Sequence, residues 1–353
     1  MSVKQRSFDM LAAPRSVDTV RSPAIAIADE SSVDNRKQRG AGNDVTIRVE
    51  QSTDMDLTVS LLERAFPQGY PHDSQYLRWL YDRSGHHAAV VVAALKESSK
   101  IGQMVLVPYE MDVDGHSRLF GLVVDFFILP EHRSGPLTIR LCRKVIEFGA
   151  AAGFDAIYGV PNTISMSVTP RLMKTRTIRK LSVRAGLAPP VRRHAINLSA
   201  PVDTLRDEEV LPLLDRFVSH PAGGRIWNGP SLLRRLRSPI TRFALHVSDD
   251  AIAISCSHKI KGLDFTMLCG FLPAGGQPIS SATTRALIAA ACHSHRNPKF
   301  CYIGFNEALI RPPGFSIPER WHPSPVTLIT RAFTPGGDAF HPRRFELIDF
   351  DLV

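Results

Sequence analysis

The residues of this chain best placed to do chemistry lie in one segment, Val123-Val124-Asp125-Phe126-Phe127-Ile128-Leu129-Pro130-Glu131-His132-Arg133-Ser134-Gly135-Pro136-Leu137. An apolar strand ends at a proline, a short Arg-Ser-Gly turn follows, and apolar residues then recur at helical spacing from Leu137. A helix that starts so abruptly leaves backbone N–H groups without partners, and its dipole makes that end positive. Such an end binds phosphate. Gly135 would let a ligand come close to the backbone, and Arg133 would add a charge-assisted contact. Strand, turn and helix together point to a ligand that carries a diphosphate.

The charge of the chain supports an anionic partner. Lysine and arginine total 43 against 34 aspartate and glutamate, a formal charge of +9. From Ala156 to Val202 there is no acidic residue, while Arg171, Lys174, Arg176, Arg179, Lys180, Arg184, Arg192 and Arg193 fall in that stretch. A solvated basic helix and loop would account for the run, and so would a landing site for a phosphorylated cofactor. The run lacks the interleaved aromatics of a nucleic-acid stacking platform, and DNA is not expected as a partner.

The elements that must position these residues can be read from periodicity. Residues 1–44 show no period and read as a disordered tail. Val45–Val49 alternates as a strand does, and Asp54 caps a helix through Leu57, Leu61, Leu62 and Phe66. A second helix is predicted over Ser74–Tyr81. Strands follow at Ala88–Leu95, Ile101–Met111 and Arg118–Leu129, with turns at Lys96–Lys100 and Asp114-Gly115. Leu137–Ala152 reads as a helix stopped by Gly153, Asp155–Val160 as a strand, and Thr163–Met173 as a helix interrupted by Pro170. The middle strands should form an antiparallel meander, and the crossover helix should set Asp155–Val160 parallel to Arg118–Leu129.

A weaker echo follows. Helices at Val210–Val218 and Ser231–Leu236 precede strands at Arg242–Val247, Ala251–Ser255 and Phe265–Leu272, a helix at Ala282–Ala291 and a strand at Phe300–Phe305. The reading is a mixed α/β (α+β) chain of 353 residues with a tail (1–44), a first domain (45–198) and a second, degenerate one (199–353). Its 44% hydrophobic and 22% charged residues fit a globular protein. The apolar runs are too short for a membrane span, and no signal peptide is visible. Five scattered cysteines suit a reducing cytoplasm rather than a disulfide scaffold.

Pro130-Glu131-His132-Arg133-Ser134-Gly135 resembles the first half of the acyl-CoA turn of the GCN5-related N-acetyltransferase family, and Pro161-Asn162 resembles that family's asparagine after its fifth strand. Pro136 and Thr138 stand where the family's turn has small residues, and Thr163–Thr177 holds no tyrosine where the family often places a general acid. Tyr76-Leu77-Arg78-Trp79-Leu80-Tyr81 and Pro318–Pro325 resemble segments of long, often tandem, bacterial proteins of this kind, some of them from surface-polysaccharide gene clusters.

The resemblance implies a GNAT-like fold, two tandem units and an N-acyltransferase. The acyl donor would be acyl-CoA (acetyl-CoA or a longer chain) and the acceptor a small-molecule amine such as an amino sugar. It implies that the backbone of Phe127, Ile128 and Leu129 holds the thioester. Arg133, Ser134, Gly135, Pro136, Leu137 and Thr138 would take the phosphates, and Asn162 would meet the pantetheine arm. An ammonium acceptor needs a base; Asp125, in an apolar strand where burial raises a carboxyl's pKa, is the candidate, with a structural ion pair as the other reading. Tyr109 and Glu110 on the neighbouring strand could face the acceptor, or form an ordinary strand pair. Acyl-carrier protein or aminoacyl-tRNA as donor, and a non-catalytic binding protein on a decayed GNAT fold, are the alternatives.

Other constellations are weaker. Cys292-His293, His295 and Cys301 lack zinc-module spacing, so no metal is expected. His86-His87 reads as surface loop, and Arg234-Arg235-x-Arg237 as the basic face of a helix. Neither a Gly-x-Ser-x-Gly elbow nor a phosphate-binding Gly-x-x-x-x-Gly-Lys-Ser/Thr loop occurs.

Overall fold

A computed structural model describes residues 45–67, 73–81, 88–189, 196–218, 223–260, 262–322 and 324–350. The tail at 1–44, His86-His87, Arg192-Arg193 and Pro323 lie outside the described residues.

The first half runs β1 (Val45–Val49), α1 (Met55–Ala65), α2 (Ser74–Tyr81), β2 (Val90–Lys96), β3 (Ser99–Val113), β4 (His116–Ile128), α3 (Gly135–Ala151), β5 (Ala156–Gly159), α4 (Thr163–Met173), β6 (Arg176–Lys180) and β7 (Ser182–Leu187). The second runs β8 (Leu198–Pro201), α5 (Asp207–Val218), α6 (Gly229–Leu236), β9 (Phe243–Val247), β10 (Ala251–Ile260), β11 (Leu263–Pro273), α7 (Ser281–Ser294), β12 (Lys299–Asn306), β13 (Phe315–Ser316), β14 (Thr327–Ala332), α8 (Pro335–Asp338) and β15 (Arg344–Glu346). The turn signals act as expected. Glu97-Ser98 and Asp114-Gly115 all have positive φ, the backbone that two-residue hairpins require.

Two sheets result. The first has the order β1-β2-β3-β4-β5-β14-β6, and the second, read from its other edge, β8-β9-β10-β11-β12-β7-β13. Each begins as an antiparallel meander, and β4 pairs parallel with β5 as β11 does with β12. The two orders match strand for strand, with one exchange. The place beside β5 is taken by β14, from the second half, and the place beside β12 by β7, from the first. The peptide is thus shared across residues 198/199: each sheet owns a strand from the other side of that boundary.

One large core lies between the sheets and under α1, α2, α5 and α6; it includes Leu77, Trp79, Tyr158, Trp227, Phe340 and Phe345. Smaller cores lie under α3 and α7. No helix among the described residues is long and apolar enough to cross a membrane.

Candidate functional site

The site is made by a strand that outlasts its neighbour. β4 pairs with β5 only at Phe120↔Ala156, Gly121↔Ile157 and Leu122↔Tyr158. β5 stops at Gly159, while β4 continues to Ile128. Val123 to Phe126 are half-buried, whereas Phe127, Ile128 and Leu129 are buried. Past the last pair, no strand among the described residues takes up the β4 edge. It carries main-chain groups that β5 has left behind.

The register of β4 breaks at the same place. Gln103 of β3 pairs with Phe127 and Val105 with Val124, so Asp125 and Phe126 together oppose Met104. This is a β-bulge, a feature that bends a strand and re-aims a side chain. Asp125 has φ 47°, in the left-handed region that aspartate tolerates better than most residues. Gly102 explains part of the fit: a Cβ there would lie 2.8 Å from the Phe127 carbonyl oxygen.

Asp125 is not isolated. The Tyr81 hydroxyl donates to its Oδ2 at 2.8 Å, and Gln103 Nε2 donates to the Tyr81 hydroxyl at 3.0 Å. Because the single Tyr81 proton goes to Asp125, Gln103 must act as the donor; its buried Oε1 then has no partner among the described residues. Burial, then the Asp125 charge, holds the Tyr81 phenol well above its ordinary pKa, so it stays a donor. Nearby, Lys100 Nζ pairs with Glu50 at 2.8 Å and donates to Thr58 Oγ1 at 3.2 Å. Burial lowers the Lys100 pKa against the opposing pull of Glu50.

The turn after β4 is a one-turn 3-10 helix, Pro130–His132, leading to α3. Ser134 is the N-cap: its hydroxyl accepts from the Leu137 N–H at 3.4 Å and its carbonyl from the Thr138 N–H at 3.1 Å. Pro136 has no N–H. The expectation of a full set of free donors is therefore reduced to two, the N–H groups of Ser134 and Gly135, which have no partner among the described residues. A Cβ on Gly135 would meet nothing within 4 Å, and its φ is not positive, so the fold itself makes no demand for glycine there. The open space is available to a ligand.

Arg133 is placed differently from the sequence reading. Its Nε donates to the Ile128 carbonyl at 3.0 Å and its Nη2 to the Ala65 carbonyl at 2.7 Å, so it ties the turn to the end of α1. Glu131 and Arg64 add a surface pair at 2.6 Å between the same two parts. Leu129 N–H is likewise committed, to Ile101 O at 2.9 Å. The accessible β4 backbone lies upstream of Phe127–Leu129, around the bulge. Asn162 caps α4, accepting from the Ser165 N–H at 2.8 Å.

Tyr109 and Asp125 are not brought together. Tyr109 pairs with Phe120, five residues along β4 from Asp125, or about 17 Å at strand rise. The Tyr109 ring is buried, and the Arg225 guanidinium is sandwiched between it (3.5 Å) and Trp227 (3.7 Å). Glu110 accepts from the Ser117 hydroxyl at 3.1 Å.

The basic run is largely occupied by the second half. Arg176 pairs with Asp338, Arg179 with Glu307 and Lys180 with Glu319, and Arg184 donates to the Pro313 and Gly314 carbonyls. Cys292, His295 and Cys301 do not converge on one point, and no cluster of three or more metal-ligating side chains exists among the described residues. Sequence reasoning passed over the roles of Tyr81 and Gln103. Both look like ordinary members of an amphipathic helix and a strand, and only the register of α2 against β3 and β4 joins them to Asp125.

No family model and no curated protein sequence matches this chain. Solved structures do. A conserved protein of Enterococcus faecalis V583 is similar over 82% of this chain and 73% of its own, at 13% identity and a TM-score of 0.57. A GCN5-related N-acetyltransferase from Anabaena variabilis is similar over 81% and 73%, at 11% identity and 0.55. Another from Kribbella flavida is similar over 86% and 81%, at 12% identity and 0.55. With the parted β4–β5 pair, the bulge and the capped turn, these likenesses show that the fold of this chain is that of the GCN5-related N-acetyltransferases, its strand order repeated in a second sheet.

Proposed function

We propose that this protein is an N-acyltransferase that takes its acyl group from acyl-CoA bound at the β4 edge and gives it to an amine. One observation carries the reading: the open β4 edge leads directly into a helix turn that offers two unpartnered N–H groups and the vacant space before Gly135. An extended amide arm lying along the edge would reach that turn with its diphosphate. Acyl-CoA supplies an activated thioester. The chain supplies position, a base and dipoles.

Asp125 is the proton acceptor in this reading. An amine acceptor arrives as ammonium and must lose a proton before it can attack. The bulge turns the Asp125 carboxylate out of the strand pattern, and Tyr81 fixes one of its oxygens. The Asp125 carboxylate is the group that takes the proton. Main-chain N–H groups of Val123–Phe126 are the donors nearest to where negative charge would develop on the acyl oxygen. An amino sugar or another small polyol amine is the acceptor class we favour, on the resemblance to tandem proteins of polysaccharide clusters.

The test is calorimetry with acetyl-CoA and longer acyl-CoAs, on the parent and on Gly135→Asp. The new carboxylate would fill the vacant space and repel a phosphate; the charge alone costs about 1 kcal/mol at a helix end, and steric exclusion adds to it. Affinity should fall at least tenfold. The melting temperature should hardly move, because an acid suits a helix N-terminus and the site has room for it. Unchanged affinity in Gly135→Asp would remove the turn as the phosphate site.

A further inference from the structure

The second sheet repeats the parted strand pair, but its gap is full. β11 pairs with β12 only at Thr266↔Phe300, Met267↔Cys301 and Leu268↔Tyr302, and both strands then run on. As β4 is followed by Pro130 and a one-turn 3-10 helix, β11 ends in Pro273 and leads into a short 3-10 turn, Ala274–Gly276, with a serine N-cap, Ser280, on α7. Into the gap comes β15. It pairs antiparallel with β12 at Gly304↔Glu346, Phe305↔Phe345 and Asn306↔Arg344. The other edge of Gly304 is held by Ser182 of β7, so β15 lies on the side from which β11 has departed.

The contacts to β11 are as direct. The Glu346 carboxylate accepts from the Phe271 N–H at 3.1 Å, from Asn306 Nδ2 at 3.1 Å and from the Tyr302 hydroxyl at 3.1 Å. Ile348 reaches Gly270, where a Cβ would come within 2.9 Å of its Cγ2. Gly304 has φ 135°, and a Cβ there would lie 2.7 Å from the Glu346 Cα. The two glycines thus leave room for the inserted segment on either side.

We propose that the chain has one acyl-donor site, in its first sheet, because its own segment Arg344–Asp349 fills the equivalent gap of the second. The inserted segment is locked rather than resting. Arg344 pairs with Glu346 at 3.5 Å and Asp349 at 3.1 Å, and Trp227 Nε1 donates to Asp349 at 3.1 Å, all within the core. Displacing it would separate Arg344 from Asp349, and a buried charge stripped of its partner is strongly destabilising. A ligand cannot open this gap as it could an empty one. The main-chain donor that an acyl donor would use, Phe271 N–H, is already spent on Glu346. The inference rests on the donor reading above for the first sheet.

Titration of the full chain with acetyl-CoA gives the count, and amide hydrogen exchange reports on the gap itself. One donor per chain is expected. Gln277→Asp, at the exposed turn before α7, should leave both count and affinity unchanged, whereas Gly135→Asp should weaken the one site at least tenfold. The Phe271 and Gly304 amides should exchange as slowly as the central residues of β11 and β12, with or without acetyl-CoA. Two donors per chain, a site lost in Gln277→Asp, or fast exchange at Phe271 would overturn the proposal. No binding at all, with Phe271 still protected, would sink the donor reading of the first sheet while leaving the second gap filled.

Discussion

Asp125 sits where β4 breaks register, and the hydroxyl of Tyr81 holds its Oδ2; in the proposed reaction Asp125 is the base. The two residues make separable contributions. Asp125→Asn keeps the shape but cannot take a proton, so kcat should fall by two orders of magnitude or more on the general-base scale, with acyl-CoA affinity nearly unchanged. Tyr81→Phe removes one hydrogen bond to each of two neighbours, worth about 1 kcal/mol apiece. It should lower Tm by a few degrees and lower kcat by less than Asp125→Asn does, because the Asp125 carboxylate loses the donor that orients it but can still take a proton. Steady-state rates from pH 6 to 9 read both effects. Full activity in Asp125→Asn across that range would assign proton removal to solvent.

At the scale of elements, the strand exchange governs what can fold. β14 fills the place between β5 and β6, and its removal would bare two strand edges and the apolar faces of Leu328 and Ile329. β7 does the same for β12 and β13. A fragment cut at residues 45–198 keeps β7 without its sheet and loses β14 from its own. It should show no cooperative melting transition and should bind a hydrophobic dye, while co-expression of the two halves should restore both strands and a sharp transition. A fragment that melts cooperatively by itself would mean that β14 is dispensable. Arg133 acts at this scale as well. By holding the carbonyls of Ile128 and Ala65 it fixes the height of the turn over α1, and in the proposed reading it thereby positions the phosphate site.

Across the whole molecule the two sheets are joined by buried charge. Arg225 lies between Tyr109 and Trp227, Arg344 between Glu346 and Asp349, and Phe345 meets the Tyr158 ring edge-on at 6.0 Å. Burial, only partly offset by Arg344 and reinforced by Asp349, raises the Glu346 pKa to about 8. The sign follows from linkage. Between the ordinary carboxylate range and pH 8 the folded chain keeps a proton that the unfolded chain releases, so this group's stability is complete at low pH and is lost as pH rises to 8. The slope is at most about 1.4 kcal/mol per pH unit. Glu346→Gln is neutral throughout and still offers an oxygen to the Phe271 N–H. Its stability in urea should therefore fall less between pH 5 and 8 than the parent's; parallel curves would show that Glu346 is ionised in the folded chain.

Local patterns in the amino-acid sequence were enough to determine the meander β2–β4, the crossover helix α3, the parallel β4–β5 pair and the turn at Ser134-Gly135. Each rests on neighbours in the chain: a period of two or 3.6, a left-handed turn residue, a serine that caps, a proline that stops a strand. Asp125 stood out in the same way, as a lone carboxylate in an apolar run, although its bulge and its partner Tyr81 did not. Other features depend on distant partners. No element is read at residues 327–332 or 344–346, although Thr327–Thr330 is rich in β-branched residues; the places of β14 beside β5 and of β15 beside β12 are set only in the folded chain. The run of arginines reads either as a solvated face or as an anion site, and not as a set of ion pairs, because its acidic partners, Glu307, Glu319 and Asp338, lie more than a hundred residues away. Arg133 looked free for the same reason, its acceptor Ala65 being 68 residues distant. Tertiary packing alone decided that one gap stays open and the other is closed by the chain itself, because pairing across sheets depends on which backbone edges meet, and that is written in no single stretch of residues.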